Sequence, residues 1–205
     1  NKAYTKILYS GNLSHFNSNI GEFLKGLSKS NLMLQNEVII YCLSSSKKNK
    51  LEFRFNKKVI INYINFSEEN LNNLLIDCDF GWVPNKYKIS SFLESHLFRV
   101  LFTSSTQIFD IVQVEKFSAN AGRCLLFARY GIPFITNPNE ETSMIFGNLS
   151  TKIMYENFDE LVDILNKFSN KKTLVEVSSI LRREFKYLDF SNLEVAKLYN
   201  AIIFN

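Results

Sequence analysis

The chain has 205 residues, of which 46% are hydrophobic and 14% aromatic, so it can bury one good core and we expect one domain. Its formal net charge is only +4, and acidic residues are interleaved with short groups of lysine and arginine, which argues against a groove for nucleic acid. No stretch approaches the length of an apolar transmembrane segment, so none is expected.

The three cysteines, Cys42, Cys78 and Cys124, each lie in an apolar run and show no metal-ligand spacing. This pattern is typical of buried thiols in a reducing compartment. We therefore expect the protein to lie in the cytoplasm, either free or at the cytoplasmic face of a membrane. Because the first residue is Asn1 rather than Met, we also expect the chain to be a piece of a longer protein.

The first half of the chain alternates predicted strands with predicted helices. Strands are predicted at 6–10, 37–42, 59–64 and 78–83, with a polar loop at 12–17. The nearly continuous apolar run at 37–42 is typical of a parallel strand covered on both faces. One helix follows the loop, with Ile20, Phe23 and Leu27 at helical spacing, and another opens at Ser67.

The second half is predicted to continue this alternation after an insertion or connecting helix at 85–115. A helical run at 119–130 stops at Gly131 before a buried strand at 132–135, and a sixth strand is predicted at 152–155. Helices follow at 158–168, 173–186 and 191–203. The order predicts an α/β fold: a Rossmann-like, doubly wound, mainly parallel sheet of about six strands with helices on both faces.

The helix start near residue 119 is the strongest candidate site. Ser118 can cap the helix, and the backbone N–H groups of Ala119 and Asn120 stand at the positive end of its dipole, where phosphate binds readily. Lys116 and Arg123 add cationic side chains before and inside the helix. A plain αβ unit whose basic residues are solvated is the alternative interpretation.

A second candidate segment follows the first predicted strand. Gly11 ends that strand, and Asn12, Ser14 and His15 lie in the loop after it, at the carboxyl edge of the sheet where such folds bind ligands. His15 is a candidate hydrogen-bond donor to a phosphate or a sugar, whereas His96 in a predicted helix is interpreted as structural. No pattern for nucleophilic catalysis is present.

Several segments, in this order, resemble the C-terminal domain of B-fold glycosyltransferases. They are 7–12 (ILYSGN), 23–27 (FLKGL), 67–71 (SEENL), 78–81 (CDFG) and 131–134 (GIPF). The resemblance implies that residues 1–205 form one Rossmann-like domain that binds a nucleotide-sugar donor. A separate N-terminal half, the missing partner, would bind the acceptor.

The resemblance also implies roles for single residues. Gly11 and Asn12 would approach the donor phosphates, and Ser118, Ala119 and Asn120 would hold the diphosphate. The implied activity is hexosyl transfer to a glycan or lipid-linked acceptor, as in polysaccharide biosynthesis. Neither metal nor another cofactor is expected, because no carboxylate cluster falls at the predicted phosphate site.

The chain departs from the pattern of that family in two regions. The Arg and Lys that commonly follow the first strand are missing, with Asn12, Ser14 and His15 in their region. Many retaining members carry two glutamates around this helix, and Ser118 and Leu126 stand at their places here. A leucine cannot accept a hydrogen bond from a ribose. Two alternatives therefore stay open: a non-catalytic α/β binding or assembly module that has lost donor recognition, and a different nucleotide-binding enzyme, although no G-x-G-x-x-G or P-loop pattern is present.

The segment Asp77-Cys78-Asp79 imitates the DxD signature with which A-fold glycosyltransferases hold a divalent metal. Paired carboxylates suit a hard cation. The pair spans the end of a predicted helix and the start of a predicted strand, however, so solvated side chains are the simpler interpretation.

Overall fold

The structure is a computed structural model that describes residues 4–45, 58–84 and 121–186. Its strands are β1 (Tyr4–Ser10), β2 (Glu37–Ser44), β3 (Val59–Asn65), β4 (Phe80–Val83) and β5 (Phe134–Thr136). Its helices are α1 (Leu13–Lys29), α2 (Asn31–Gln35), α3 (Glu68–Asp77), α4 (Ala121–Arg129), α5 (Glu140–Phe146), α6 (Ser150–Ile153), α7 (Phe158–Phe168) and α8 (Lys171–Glu184), with a 3₁₀ turn at Gly147–Leu149.

The five strands form one parallel sheet in the order β3-β2-β1-β4-β5. The chain therefore builds outward from β1 to β3, crosses back through α3, and continues on the other side of β1 with β4 and β5. This reversal places a topological switch point between β1 and β4. The predicted α/β fold with a parallel sheet is confirmed.

Helices cover both faces of the sheet, as β4 demonstrates. The ring of Phe80 packs edge-on against Phe168 of α7, with ring centroids 5.2 Å apart. The next residue, Gly81, lies against Phe127 of α4, and a Cβ at Gly81 would stand 2.5 Å from that ring. Because successive strand residues point to opposite faces, α7 and α4 lie on opposite sides of the sheet.

An aromatic cluster fills the space between the sheet and α1. Trp82 stacks on Phe23 at 4.2 Å, and Tyr9 and Phe16 pack against it at 5.8 Å. All four side chains are at most 1% exposed. The helix predicted from the apolar spacing is thus confirmed, since the buried stripe of α1 faces this cluster.

The predicted sixth strand at 152–155 is wrong. Residues 150–153 are α6, closed by the bond from the Met154 N–H to the Ser150 carbonyl at 2.8 Å. Only Met154 joins the sheet, through an isolated parallel bridge to Thr136. A short apolar run does not distinguish a helical turn from a strand. Here a helical turn buries Ile153 and gives the backbone N–H and carbonyl groups hydrogen-bond partners within the turn.

Other boundaries shift by a few residues. The predicted polar loop at 12–17 is mostly helix, because α1 already begins at Leu13 with the Phe16 N–H bonded to the Asn12 carbonyl. Cys78 caps α3 rather than opening β4, since its N–H bonds to the Leu74 carbonyl. The interpretations of 85–115 and 191–203 lie outside the described residues.

Candidate functional site

The two candidate segments meet at the carboxyl edge of the sheet. Gly11 follows β1, and its N–H is held by the carbonyl of Leu43 at 3.0 Å. Helix α4 lies between β4 and β5 in the chain, so its N-terminus stands at the same edge. The loop after β1 and the start of α4 therefore flank the switch point, where open α/β sheets bind ligands.

Arg123, in the first turn of α4, reaches across to the end of β1. Its Nη1 lies 3.5 Å from the carbonyl oxygen of Ser10, and its guanidinium carbon lies 5.9 Å from the centre of the Tyr9 ring. A Cβ at Gly11 would stand 2.5 Å from Nη1. The structure thus brings together two candidate residues from distant parts of the chain, Gly11 and Arg123.

The next residue, Cys124, anchors this turn of α4 to the sheet. It is fully buried, and its thiol lies 3.8 Å from the hydroxyl oxygen of Thr136 on β5. Burial raises the pKa of the Cys124 thiol to about 12, with the Thr136 contact opposing the shift. Cys124 is therefore a packing residue and not a nucleophile.

The guanidinium of Arg123 has unused hydrogen-bonding capacity. Its Nε is buried and has no hydrogen-bond acceptor among the residues that the structure describes. No salt bridge joins it to a carboxylate within 4–45, 58–84 or 121–186. Because a guanidinium offers five N–H donors in a fork, this position suits an anionic ligand with several oxygens.

The start of α1 supplies the other wall of the site. The carbonyl of Asn12 accepts the N–H of Phe16 at 3.1 Å, which makes Asn12 the residue before the helix. His15 lies in the first turn and is only 8% exposed, and its carbonyl accepts the side-chain amide of Asn19 at 2.9 Å. Ser14 follows Leu13 in the same turn.

Tyr9 contacts two candidate site residues, Asn12 and Arg123, although the sequence did not single it out. It is fully buried, yet its hydroxyl donates to the Asn12 carbonyl at 2.7 Å and its ring lies beneath Arg123. One signal was available: a buried tyrosine normally needs a partner for its hydroxyl, and this one stands two residues before a glycine at a ligand-side edge.

The remaining members of the predicted phosphate segment cannot be compared with the structure. Lys116, Ser118, Ala119 and Asn120 lie outside the described residues, as does His96. Their roles in holding a diphosphate stay predictions.

The DxD-like segment lies at the start of β4, away from this site. Asp77 forms a salt bridge with Lys6 and accepts the Tyr41 hydroxyl at 3.3 Å, and Asp79 accepts the backbone N–H of Lys6 at 2.7 Å. The hydrogen bond with Asp77 raises the pKa of Lys6. Among the described residues, no group of three or more His, Cys, Asp or Glu side chains is arranged to hold a metal ion.

Leu126 is partly buried and packs against the hydrophobic core from α4. It stands where the family resemblance places a ribose-binding glutamate. An apolar side chain in this packing offers no acceptor to a ribose hydroxyl.

Within the described part of the chain, no helix has the length and apolar character needed to cross a membrane. No protein-family model matches the chain, and no curated protein matches it in sequence. The resemblance to B-fold glycosyltransferases therefore stays a prediction from the quoted segments.

Proposed function

We propose that the chain is the donor-binding domain of a metal-independent glycosyltransferase, acting in the cytoplasm or at the cytoplasmic face of a membrane. One observation carries the proposal: the guanidinium of Arg123 stands beside Gly11 at the switch point between β1 and β4. This is the edge where sheets of this topology bind nucleotides, and the cation suits a diphosphate.

The chemistry requires charge stabilisation rather than a protein nucleophile. When a glycosyl group leaves its nucleoside diphosphate, negative charge develops on the departing phosphate oxygens. Arg123 and the backbone N–H groups at the starts of α1 and α4 would stabilise this charge without metal. The base for the glycan or lipid-linked acceptor would come from the N-terminal half that the resemblance implies.

Calorimetric titration with UDP, GDP, ADP, CDP and TDP tests the proposal. Arg123→Ala should weaken binding about ten- to a hundredfold, because charge-assisted hydrogen bonds contribute about 1.5 to 3 kcal/mol. Arg129→Ala is the matched control, since Arg129 is exposed in the last turn of the same helix. Melting curves of both variants check the fold.

Two results would count against donor binding. One is an unchanged affinity in Arg123→Ala. The other is the absence of binding by the parent chain to any of these nucleotides or to the corresponding nucleotide sugars.

The second candidate function is a non-catalytic α/β binding or assembly module, and Leu126 favours it. If the ribose is not recognised, ADP and 2′-deoxy-ADP should bind with equal affinity. Equal affinities, together with no transfer of sugar from any nucleotide sugar by the full-length protein, would support this module over the transferase.

A further inference from the structure

Tyr9 touches both walls of the candidate site. Its hydroxyl donates to the Asn12 carbonyl at 2.7 Å, at the start of α1. Its ring lies 5.9 Å below the guanidinium carbon of Arg123, within the range of a cation–π contact. The side chain is fully buried, so neither contact competes with solvent at the ring.

The hydroxyl sets the direction in which the chain enters α1. The Asn12 carbonyl accepts both the Tyr9 hydroxyl and the N–H of Phe16, and these hydrogen bonds hold its orientation. The N–H groups of the first helical turn have no acceptor inside a helix, and they point out of its N-terminus. The hydrogen bonds that hold the Asn12 peptide therefore also set the point at which the N–H groups of the first turn of α1 converge.

The aromatic ring of Tyr9 positions the guanidinium of Arg123, as its hydroxyl positions the start of α1. Arg123 can adopt many rotamers, and the face of an aromatic ring beside the Ser10 carbonyl favours the rotamer that reaches Gly11. A preorganised cation loses less side-chain entropy when an anion binds.

We infer that Tyr9 is a positioning residue that aligns the start of α1 with Arg123 for a shared diphosphate. The inference rests on the proposed function, since both concern the same edge of the sheet. Tyr9 itself needs no contact with the ligand.

Tyr9→Phe tests the inference, because it removes the hydroxyl and keeps the ring. The probe is whichever of UDP, GDP, ADP, CDP and TDP binds the parent chain most tightly. Its dissociation constant should rise about three- to tenfold, the effect of one lost hydrogen bond. Tyr63→Phe is the control, because Tyr63 also packs on Phe16, at 5.9 Å, but belongs to the edge strand β3.

A double-variant cycle separates positioning from a general loss of stability. Tyr9→Leu, which removes the ring as well, and Arg123→Ala should be non-additive in probe affinity, because the ring acts through its contact with the Arg123 guanidinium. A purely structural hydroxyl would lower the melting temperature of Tyr9→Phe and leave its affinity for the probe unchanged.

The outcomes distinguish the two proposals. If Arg123→Ala weakens binding while Tyr9→Phe and the parent chain bind equally, the inference about Tyr9 is overturned and donor binding stands. If the parent chain binds none of the probes, both are overturned. Should Tyr9→Phe fail to fold, Gly11→Ala is compared in the parent and Arg123→Ala backgrounds, because its Cβ would stand 2.5 Å from Arg123 Nη1 and 3.0 Å from the Tyr9 hydroxyl. A loss of affinity that appears only in the parent background acts through Arg123 alone and overturns the inference about Tyr9.

Discussion

Nη1 of Arg123 occupies the space that a side chain at Gly11 would need, 2.5 Å from the expected position of a Cβ. Gly11, which follows β1, and Arg123, in the first turn of α4, are therefore in direct contact. Two features account for a residue without a side chain after β1: this close approach, and a backbone φ of +158° that L side chains rarely adopt.

Gly11→Ala should displace the Arg123 guanidinium and weaken nucleoside diphosphate binding by about tenfold, the lower end of the loss for a charge-assisted contact. Titration calorimetry measures the change. The control is Gly21→Ala on the exposed face of α1, where a Cβ meets nothing within 4 Å. That control should leave affinity unchanged and stabilise the protein by about 0.5 to 1 kcal/mol. Equal affinities of Gly11→Ala and Gly21→Ala would contradict the prediction.

Diphosphate binding should not depend on a divalent metal. Titrations with and without EDTA should give the same affinity, and Asp77→Asn should leave it unchanged, because Asp77 is held by Lys6 near the start of β4. The exposed pair should contribute less than about 1 kcal/mol to stability. A strict requirement for Mg²⁺ or Mn²⁺ would contradict this prediction and make Asp77 and Asp79 the candidate metal ligands.

Gly81→Ala should destabilise the fold by about 1 to 3 kcal/mol, because its Cβ would overlap the Phe127 ring. Urea unfolding measures the loss. Adding Phe127→Leu makes room for the new methyl group, so the double variant should lose less stability than the sum of the two single variants. Additive losses would indicate that strand and helix are not packed as described.

Stability should decline at alkaline pH, partly through Cys124. An ordinary thiol ionises near pH 9.0 in the unfolded chain, whereas burial raises the pKa of native Cys124 to about 12. Between these values the unfolded state binds fewer protons, so the free energy of unfolding falls as pH rises; below pH 9 the contribution is constant.

Cys124→Ala should therefore show a shallower decline above pH 9, by up to about 1.4 kcal/mol per pH unit. Urea unfolding at pH 7.5, 9 and 10 gives the slopes, and comparing slopes removes the cavity cost of the substitution. Parallel curves for the parent and the variant would contradict the raised thiol pKa.

Local signals predicted most of the elements. Ser67 was expected to open a helix, and its hydroxyl does accept the N–H of Asn70 at 3.1 Å. The apolar run at 37–42 is the first part of β2, in which Val38, Ile40 and Cys42 are buried while the alternate residues are partly buried. The wrong prediction of a sixth strand also has a local cause, since the apolar run at 152–155 is too short to show a period and most of it folds as a helical turn.

Local signals predict only part of the candidate site. Gly11 and Arg123 are candidates because of their positions after a predicted strand and in a predicted helix. Tyr9 is not, because a tyrosine inside an apolar strand resembles any other core residue until the partner of its hydroxyl is known.

The sequence by itself determined the alternation of strands and helices, because caps, glycine stops and apolar periodicity act between residues a few positions apart. Only the tertiary structure decided the strand order, the switch point between β1 and β4, and the meeting of Arg123 with the end of β1. These depend on packing between distant segments, such as the contact that joins Arg123 to Ser10 across 113 positions of the chain, and no local pattern encodes such a distance.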